Sequence, residues 1–166
     1  MIKKQIAATL YGNSYMLQDK GSRILKINAV SDDHIICEVL ISGKLFPVYI
    51  DYDKIGTEYH IVARPMNQLN ESITHNGETF VPIVELAKIA FPLIEWKISN
   101  SNYAKGNNNG YWFEFDDGAF VCGDNDGRNT VFYVEKLFDK LREWNFSIGL
   151  PEGSWIPVTE QNNPYA

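Results

Sequence analysis

The feature that most constrains the fold is a series of short apolar segments separated by turn residues between positions 23 and 64. β-Branched and aromatic residues dominate the segments, and Ser, Asp and Gly separate them at intervals of about ten residues. This pattern is typical of antiparallel strands joined in sequence order. It predicts a β-meander with strands at 23–30, 34–41, 44–52 and 59–64 and turns at 31–33 and 42–43.

The register of the central hairpin follows from a two-residue turn at Ser42-Gly43. Side chains alternate between the two faces of a strand, so this turn fixes which residues share a face. One face collects Ile35, Cys37, Val39, Ile41, Phe46, Val48 and Ile50. The other carries Ile36, Glu38, Leu40, Leu45, Pro47 and Tyr49. The first face is almost wholly apolar, which predicts a core face and makes Cys37 a buried packing residue rather than a reactive thiol.

Two hairpin–helix units are predicted in the second half of the chain. Asn76-Gly77 and Asp117-Gly118 are strong signals for two-residue hairpin turns, because both turn positions require a positive φ. A helix is predicted at about 82–91, with Pro82 in its first turn. A second helix is predicted to end near residue 145 and to be capped by Asn129 or Thr130. A further strand is expected at 93–98 and a polar loop at 99–110.

The sequence therefore predicts an α+β fold. It consists of an antiparallel β-meander followed by two hairpin–helix units containing two main helices. The meander could also close into a small barrel. The meander occupies 1–70 and the hairpin–helix part 71–150, within one continuous globular domain. Residues 151–166 are rich in Pro and Gly and are expected to form an irregular tail, either packed through Trp155 or partly loose.

The hairpin around Asp117-Gly118 belongs to an acidic segment that raises the question of a metal site. In the predicted register Asp116 faces Ala119, Phe115 faces Phe120 and Phe113 faces Cys122. This places Phe113, Phe115, Phe120 and Cys122 on a single face, which we expect to be core.

An EF-hand-type calcium loop does not fit the acidic segment. With Gly127 in the glycine position, Cys122 stands at the first ligand and Tyr133 at the twelfth, where calcium loops have a carboxylate. A looser Mg²⁺ site made of Glu114, Asp116, Asp124 and Asp126 is the alternative, and it would support metal-dependent hydrolysis. Turn formation explains the aspartates equally simply and is the preferred interpretation.

Other sites are not indicated. His34, His60 and His75 lie in no catalytic or metal-ligand motif and are expected at surface or edge positions, and no phosphate- or dinucleotide-binding loop occurs. The formal net charge is -6 and no long run of Lys or Arg is present, which argues against direct nucleic-acid binding. No cofactor, signal peptide or membrane span is expected, and the two cysteines favour a reducing, cytoplasmic location.

Three stretches resemble known sequences: 63–69, 75–83 and 141–150. The first of them contains Arg64-Pro65-Met66. They resemble small uncharacterised proteins of phages and mobile elements of gut bacteria, which pair an "RPM…L" stretch with a terminal "WHFD…GLI" stretch. Asn145 stands where His is usual in that group. The resemblance covers about a third of the chain. It implies an origin and brings no catalytic residues with it.

These observations lead to two expectations about function. The first is a non-enzymatic phage or mobile-element accessory protein that binds another protein, with inhibition of a host factor as one role. The alternative is a metal-dependent hydrolase that uses the carboxylates of residues 114–126. A structural or assembly role is a third possibility that the residues do not address.

Overall fold

The computed structural model describes residues 2–99, 103–107, 110–132, 134–160 and 163–166. It is an α+β structure that consists mostly of sheet, with three α-helices and thirteen strands in the described residues. The chain divides into two compact units, the first formed by Met1–Pro65 and Leu141–Pro164 and the second by Met66–Lys140 and Tyr165–Ala166.

The first unit contains one helix and a six-stranded sheet. Its elements are α1 (Ile2–Leu10), β1 (Met16–Asp19), β2 (Ile24–Val30), β3 (His34–Ile41), β4 (Lys44–Asp51), β5 (Tyr59–Ala63) and a C-terminal strand at Trp155–Pro157. The C-terminal strand pairs in parallel with β5, and the other pairs, β5–β1–β2–β3–β4 in spatial order, are antiparallel. A short 3-10 helix, Tyr52–Lys54, follows β4.

The core of this unit lies on one face of the sheet and is closed by α1. Ile6 and Leu10, four residues apart on the helix, are 0% and 1% exposed. They belong to a cluster with alternate residues of the strands, including Leu17, Ile35 and Ile61. The cluster explains why these strands alternate between buried and accessible positions.

The predicted meander is confirmed for β2, β3 and β4, which pair in sequence order, but the predicted fourth strand, β5, pairs with β1 and the C-terminal strand rather than with β4. The strand bounds agree with the predictions to within one residue, and the pairs Ile41↔Lys44, Val39↔Phe46 and Cys37↔Val48 match the predicted register. Ser42 and Gly43 have φ values of 51° and 79°, as a two-residue hairpin turn requires.

Three features of the first unit differ from the sequence-based expectations. The described strands do not close into a barrel, because β4 and the C-terminal strand lie at opposite edges of the sheet. α1 and β1 were not predicted. The segment expected to be an irregular tail contains the strand Trp155–Pro157, which finds its partner in β5 rather than in a sequence neighbour.

The second unit is built on a five-stranded antiparallel sheet. Its elements in chain order are a 3-10 helix (Met66–Asn70), β6 (Ile73–His75), β7 (Glu78–Phe80), α2 (Pro82–Ala90), β8 (Trp96–Ile98), β9 (Ala104–Gly106), β10 (Trp112–Asp116), β11 (Ala119–Gly123), β12 (Asn129–Phe132) and α3 (Glu135–Glu143). The C-terminal strand of the first unit is therefore β13. The sheet order is β12-β11-β10-β9-β8, and β6 and β7 form a separate hairpin.

Aromatic side chains form one part of the core of the second unit, beside aliphatic residues such as Ile83 and Leu86. Phe120 is fully buried, and its ring centroid lies 5.6 Å from that of Phe113, 5.0 Å from that of Phe115 and 5.2 Å from that of Phe138. Phe138 lies on α3, so this contact packs the start of that helix against the sheet. These separations are typical of favourable aromatic pairs.

Both predicted hairpins and both predicted helices are present. The pairs His75↔Glu78 and Phe113↔Cys122 have the predicted register, and α2 begins with Pro82 as expected. The prediction of only two helices is wrong, because α1 is a third. The predicted cap at Asn129 or Thr130 is also wrong, since both residues lie in β12, and β9 falls inside the segment expected to be a loop.

Candidate functional site: the exposed end of the β3–β4 hairpin

Residues of the stretches 63–69 and 141–150 meet in the first unit and have a structural role there. Arg64, 2% exposed, donates from Nε to the carbonyl oxygen of Trp144 at 3.1 Å. Its backbone N–H donates to Asn145 O at 2.7 Å, and its carbonyl accepts from Ser147 N at 2.9 Å. Asn145 is buried with a φ of 62°, a conformation that Asn tolerates better than most residues. Within the first unit, these hydrogen bonds fasten residues 144–147 to the end of β5.

The most unusual surface of the first unit is the distal end of the β3–β4 hairpin. Four large apolar side chains are exposed there: Leu40 (67%), Ile41 (54%), Leu45 (62%) and Phe46 (45%). We call these four residues the apolar tip. Tyr49 is also exposed (61%), but it lies nearer the base of the hairpin, opposite Ile36. Single exposed apolar residues are ordinary on a protein surface, but a contiguous group is typical of an interaction site.

The tip is exposed because the hairpin is longer than the strand beside it. β3 and β4 have eight residues each, whereas β2 pairs with β3 only as far as Glu38. Beyond Glu38 the hairpin is a two-stranded extension with no third strand against it. Cys37 and Ile50, nearer the base, are 0% and 1% exposed, while Phe46 on the same face is 45% exposed. The face predicted as core is therefore covered over only half its length.

Both faces of the tip are apolar. Ile41 and Phe46 lie on the face that continues into the core, and Leu40 and Leu45 lie on the opposite face. Within residues 39–49 the only charged residue is Lys44. Such a surface offers burial of apolar area from two sides.

Pro47 limits the ways in which the tip can bind. Ile41 and Lys44 flank the two-residue turn and therefore form a hydrogen-bonded pair. Hydrogen-bonded and non-hydrogen-bonded pairs alternate along the hairpin, so Pro47, opposite Glu38, belongs to a non-hydrogen-bonded pair and its backbone nitrogen points away from β3. Proline has no N–H to offer there. Because β4 is the free edge of the sheet, Pro47 disfavours pairing with an added strand and leaves the side-chain faces as the binding surfaces.

The four predicted metal ligands are spread along the β10–β11 hairpin. Asp116 lies beside the turn, opposite Ala119, and Glu114 lies in the middle of β10, opposite Val121. Asp124 follows Gly123 at the far end of β11, five residues after Ala119 and three after Val121, which corresponds to about 17 Å and about 10 Å of extended chain. The structure therefore does not bring Glu114 and Asp116 together with Asp124 and Asp126.

The carboxylate of Asp124 is occupied by the turn in which it lies. Its Oδ1 accepts from the backbone N–H groups of Asp126 at 3.0 Å and Arg128 at 3.2 Å. This supports the turn interpretation of the aspartates. Burial raises the pKa of Glu114, and the negative charge of Asp116 adds to the increase. Within the part of the chain that the structure describes, no group of three or more His, Cys, Asp or Glu side chains could hold a metal ion.

The two cysteines differ in their environments. Cys37 is buried as predicted, and burial raises the pKa of its thiol to about 12. Cys122 was expected in the core but is only half-buried, so that expectation is wrong. Burial, followed by the nearby charge of Asp124, raises the pKa of the Cys122 thiol, which makes it a weak nucleophile at neutral pH.

The histidines also differ from one another. His34 is accessible, with Nε2 3.0 Å from Asp51 Oδ1. His75 was expected at a surface or edge position but is 8% exposed. The C-terminal residues of the second unit account for this burial, since the Tyr165 ring lies 6.3 Å from that of His75 and the Tyr165 carbonyl accepts from Asn76 N at 2.7 Å.

Comparisons with protein-family models, curated proteins and solved structures found no match to the chain. In the described residues, no helix has the length and hydropathy of a membrane-spanning segment, and each of the three α-helices has nine residues. The assignment of function therefore depends on the surface of the protein itself.

Sequence reasoning did not identify the apolar tip as a site, although a signal was present. Leu40, Leu45 and Tyr49 are apolar residues on the face that a half-buried hairpin exposes to solvent. An alternating strand with one buried face would carry polar residues there. Apolar residues on both faces beside a hairpin turn are the pattern that indicates an uncovered tip.

Proposed function

We propose that the protein is a non-enzymatic accessory protein, of phage or mobile-element type, that acts by binding another protein through the apolar tip. The observation that carries the proposal is the exposure of Leu40, Ile41, Leu45 and Phe46 on a hairpin that extends beyond its neighbouring strand. The suggested origin depends on the resemblance of the stretches around Arg64 and Trp144.

The chemistry of the tip favours a protein partner. Aliphatic and aromatic side chains exposed on both faces match the composition of interface cores, where charged residues are depleted and aromatic residues enriched. A nucleic-acid partner would require cations, and the tip has only Lys44. Inhibition of a host protein through such a contact is the role that fits an accessory protein of this kind.

The geometry of the tip also restricts the shape of the partner. Both faces of the hairpin are apolar, so a flat partner surface would cover one face and leave the other in water. A cleft that receives the hairpin between two walls would bury both. Pro47 makes such face-to-face contact more favourable than extension of the sheet along β4.

Capture of the partner tests the proposal. The tagged protein is incubated with lysate of its host, and retained proteins are quantified by mass spectrometry for wild type, the Leu40→Ser/Leu45→Ser double variant and Leu93→Ser. Leu93 is 99% exposed and lies in the second unit, so Leu93→Ser is a control for the loss of an exposed leucine. The partner should be retained by wild type and Leu93→Ser and lost with the double variant.

Affinity measurements with the purified partner complete the test. Removal of a central apolar contact costs at least about 1.4 kcal/mol at an interface hot spot, so each serine should weaken the Kd about tenfold. Equal retention of the partner by the double variant and Leu93→Ser would contradict the assignment of the tip. If wild type retains no specific partner, the proposed function itself fails.

A further inference from the structure

The second unit contains a cavity of about 560 Å³ that is separate from the apolar tip. This volume is within the range of small-molecule binding sites. The cavity lies between the end of α2, the start of α3 and one end of the sheet, all within Met66–Lys140. Its apolar lining consists of Ile89, Ala90, Phe91, Cys122, Val134 and Leu137.

The apolar lining is open to solvent. Leu137 is fully buried, but Val134, one turn earlier in the chain, is 39% exposed at the cavity. Ala90 and Cys122 are half-buried. A ligand with an apolar body would therefore remove additional apolar surface from water on binding.

The charged groups of the lining favour an anionic ligand. Arg128 and Lys136 both line the cavity, and neither forms an ion pair with a residue in the described ranges. The single acidic residue of the lining is Asp124, and its carboxylate already accepts two backbone N–H groups. The first turn of α3 lies at the cavity as well, and the positive end of the helix dipole adds to the attraction for an anion.

We propose that this cavity binds a small apolar molecule that carries one carboxylate, such as a medium-chain alkanoate. The apolar body lies against Ile89, Phe91 and Leu137, and the carboxylate lies near Arg128 and Lys136. The net positive charge of the lining stands in contrast to the net charge of -6 on the whole chain. This inference does not depend on the function of the apolar tip.

Cys122 provides a direct probe of occupancy. Cys122 lines the cavity and is half-buried, whereas Cys37 is 0% exposed, so a thiol reagent applied to the folded protein should modify Cys122 selectively. Octanoate, kept below its micelle concentration, should slow this reaction in a saturable manner. A detergent-like disruption of the fold would have the opposite effect, because it would expose Cys37 as well. Cys122→Ala confirms which thiol reacts.

Octylammonium is the matched ligand with the opposite charge. It has about the same chain length as octanoate, and its half-saturating concentration should be about tenfold higher, because Arg128 and Lys136 attract the carboxylate and repel the ammonium group. The Arg128→Met/Lys136→Met double variant should remove most of this difference. Lys97→Met, an exposed lysine outside the cavity, is the control and should leave both ligands unchanged.

Three results would overturn the inference. The first is an unchanged rate of Cys122 modification at saturating octanoate. The second is equal protection by octanoate and octylammonium. The third is that the double variant behaves as Lys97→Met does. Arg128 and Lys136 are exposed, so these substitutions leave the aromatic core intact. Chemical shifts of the backbone amides around Ala90 and Leu137 provide a second readout, and octanoate should move them in wild type.

Discussion

The assignment of the apolar tip makes a quantitative prediction about stability that is independent of any partner. Leu45 and Ile50 lie on the same strand, β4, but Leu45 is 62% exposed and Ile50 is 1% exposed. Leu45 therefore keeps only about two fifths of its surface away from water, and full burial of such a side chain contributes about 1.5–3 kcal/mol. Leu45→Ala should then lower the free energy of unfolding by about 1 kcal/mol or less.

Ile50→Ala removes a side chain from a fully packed site and leaves a cavity, so it should cost about 2–5 kcal/mol. Alanine replaces the residue in both variants, and the lower strand propensity of alanine therefore contributes to both losses and largely cancels in their difference. The expected gap between the two variants is at least about 1 kcal/mol, with Ile50→Ala the less stable.

Urea denaturation followed by circular dichroism measures both losses, and unchanged m values would show that the variants unfold from equally compact states. Leu45→Ala should weaken partner binding despite its small effect on stability. An equal loss of stability in the two variants would refute the reasoning, because it would mean that Leu45 is covered within the protein itself.

Two further predictions concern the buried residues. Burial raises the pKa of the Cys37 thiol from 9.0 to about 12, so the thiol ionises at lower pH in the unfolded chain than in the folded protein. The stability difference between wild type and Cys37→Ala, measured by urea titration, should therefore fall by about 1 kcal/mol per pH unit above pH 9. A difference that is constant from pH 8 to 11 would contradict this prediction. Phe120→Ala should lower the free energy of unfolding by about 3–5 kcal/mol, measured by thermal or urea unfolding, because the ring of Phe120 contacts Phe113, Phe115 and Phe138. Phe120→Leu should cost distinctly less, because leucine still fills part of the space. Equal losses in the two variants would contradict this prediction.

The parts of the fold that were predictable from the sequence are those set by local chemistry. Ser42-Gly43, Asn76-Gly77 and Asp117-Gly118 all adopt positive φ values, and each fixes the register of its hairpin. Pro82 marks the first turn of α2 for a similar reason. In each case a backbone requirement of one or two residues determines the structure nearby.

The parts that were missed depend on distant partners. β13 becomes a strand because Trp155, Ile156 and Pro157 pair with β5, about ninety residues earlier in the chain. β12 replaces the expected helix cap because Thr130 and Val131 pair with β11. His75 is buried because the chain returns at Tyr165 to cover it. No local pattern in these segments specifies the partner.

The apolar tip shows where sequence periodicity stops being informative about function. Cys37 and Phe46 are on one face of one hairpin, and alternation groups them correctly. Alternation does not state whether anything covers that face. Ile6 and Leu10 of α1 belong to the cluster that buries Cys37, whereas Phe46 is 45% exposed. The pairing of β2 with β3 also ends at Glu38, so the residues beyond it have no third strand beside them. An apolar face that the protein's own chain leaves uncovered is the physical basis for proposing a partner, and it is visible only when the lengths of adjacent strands are compared in the structure.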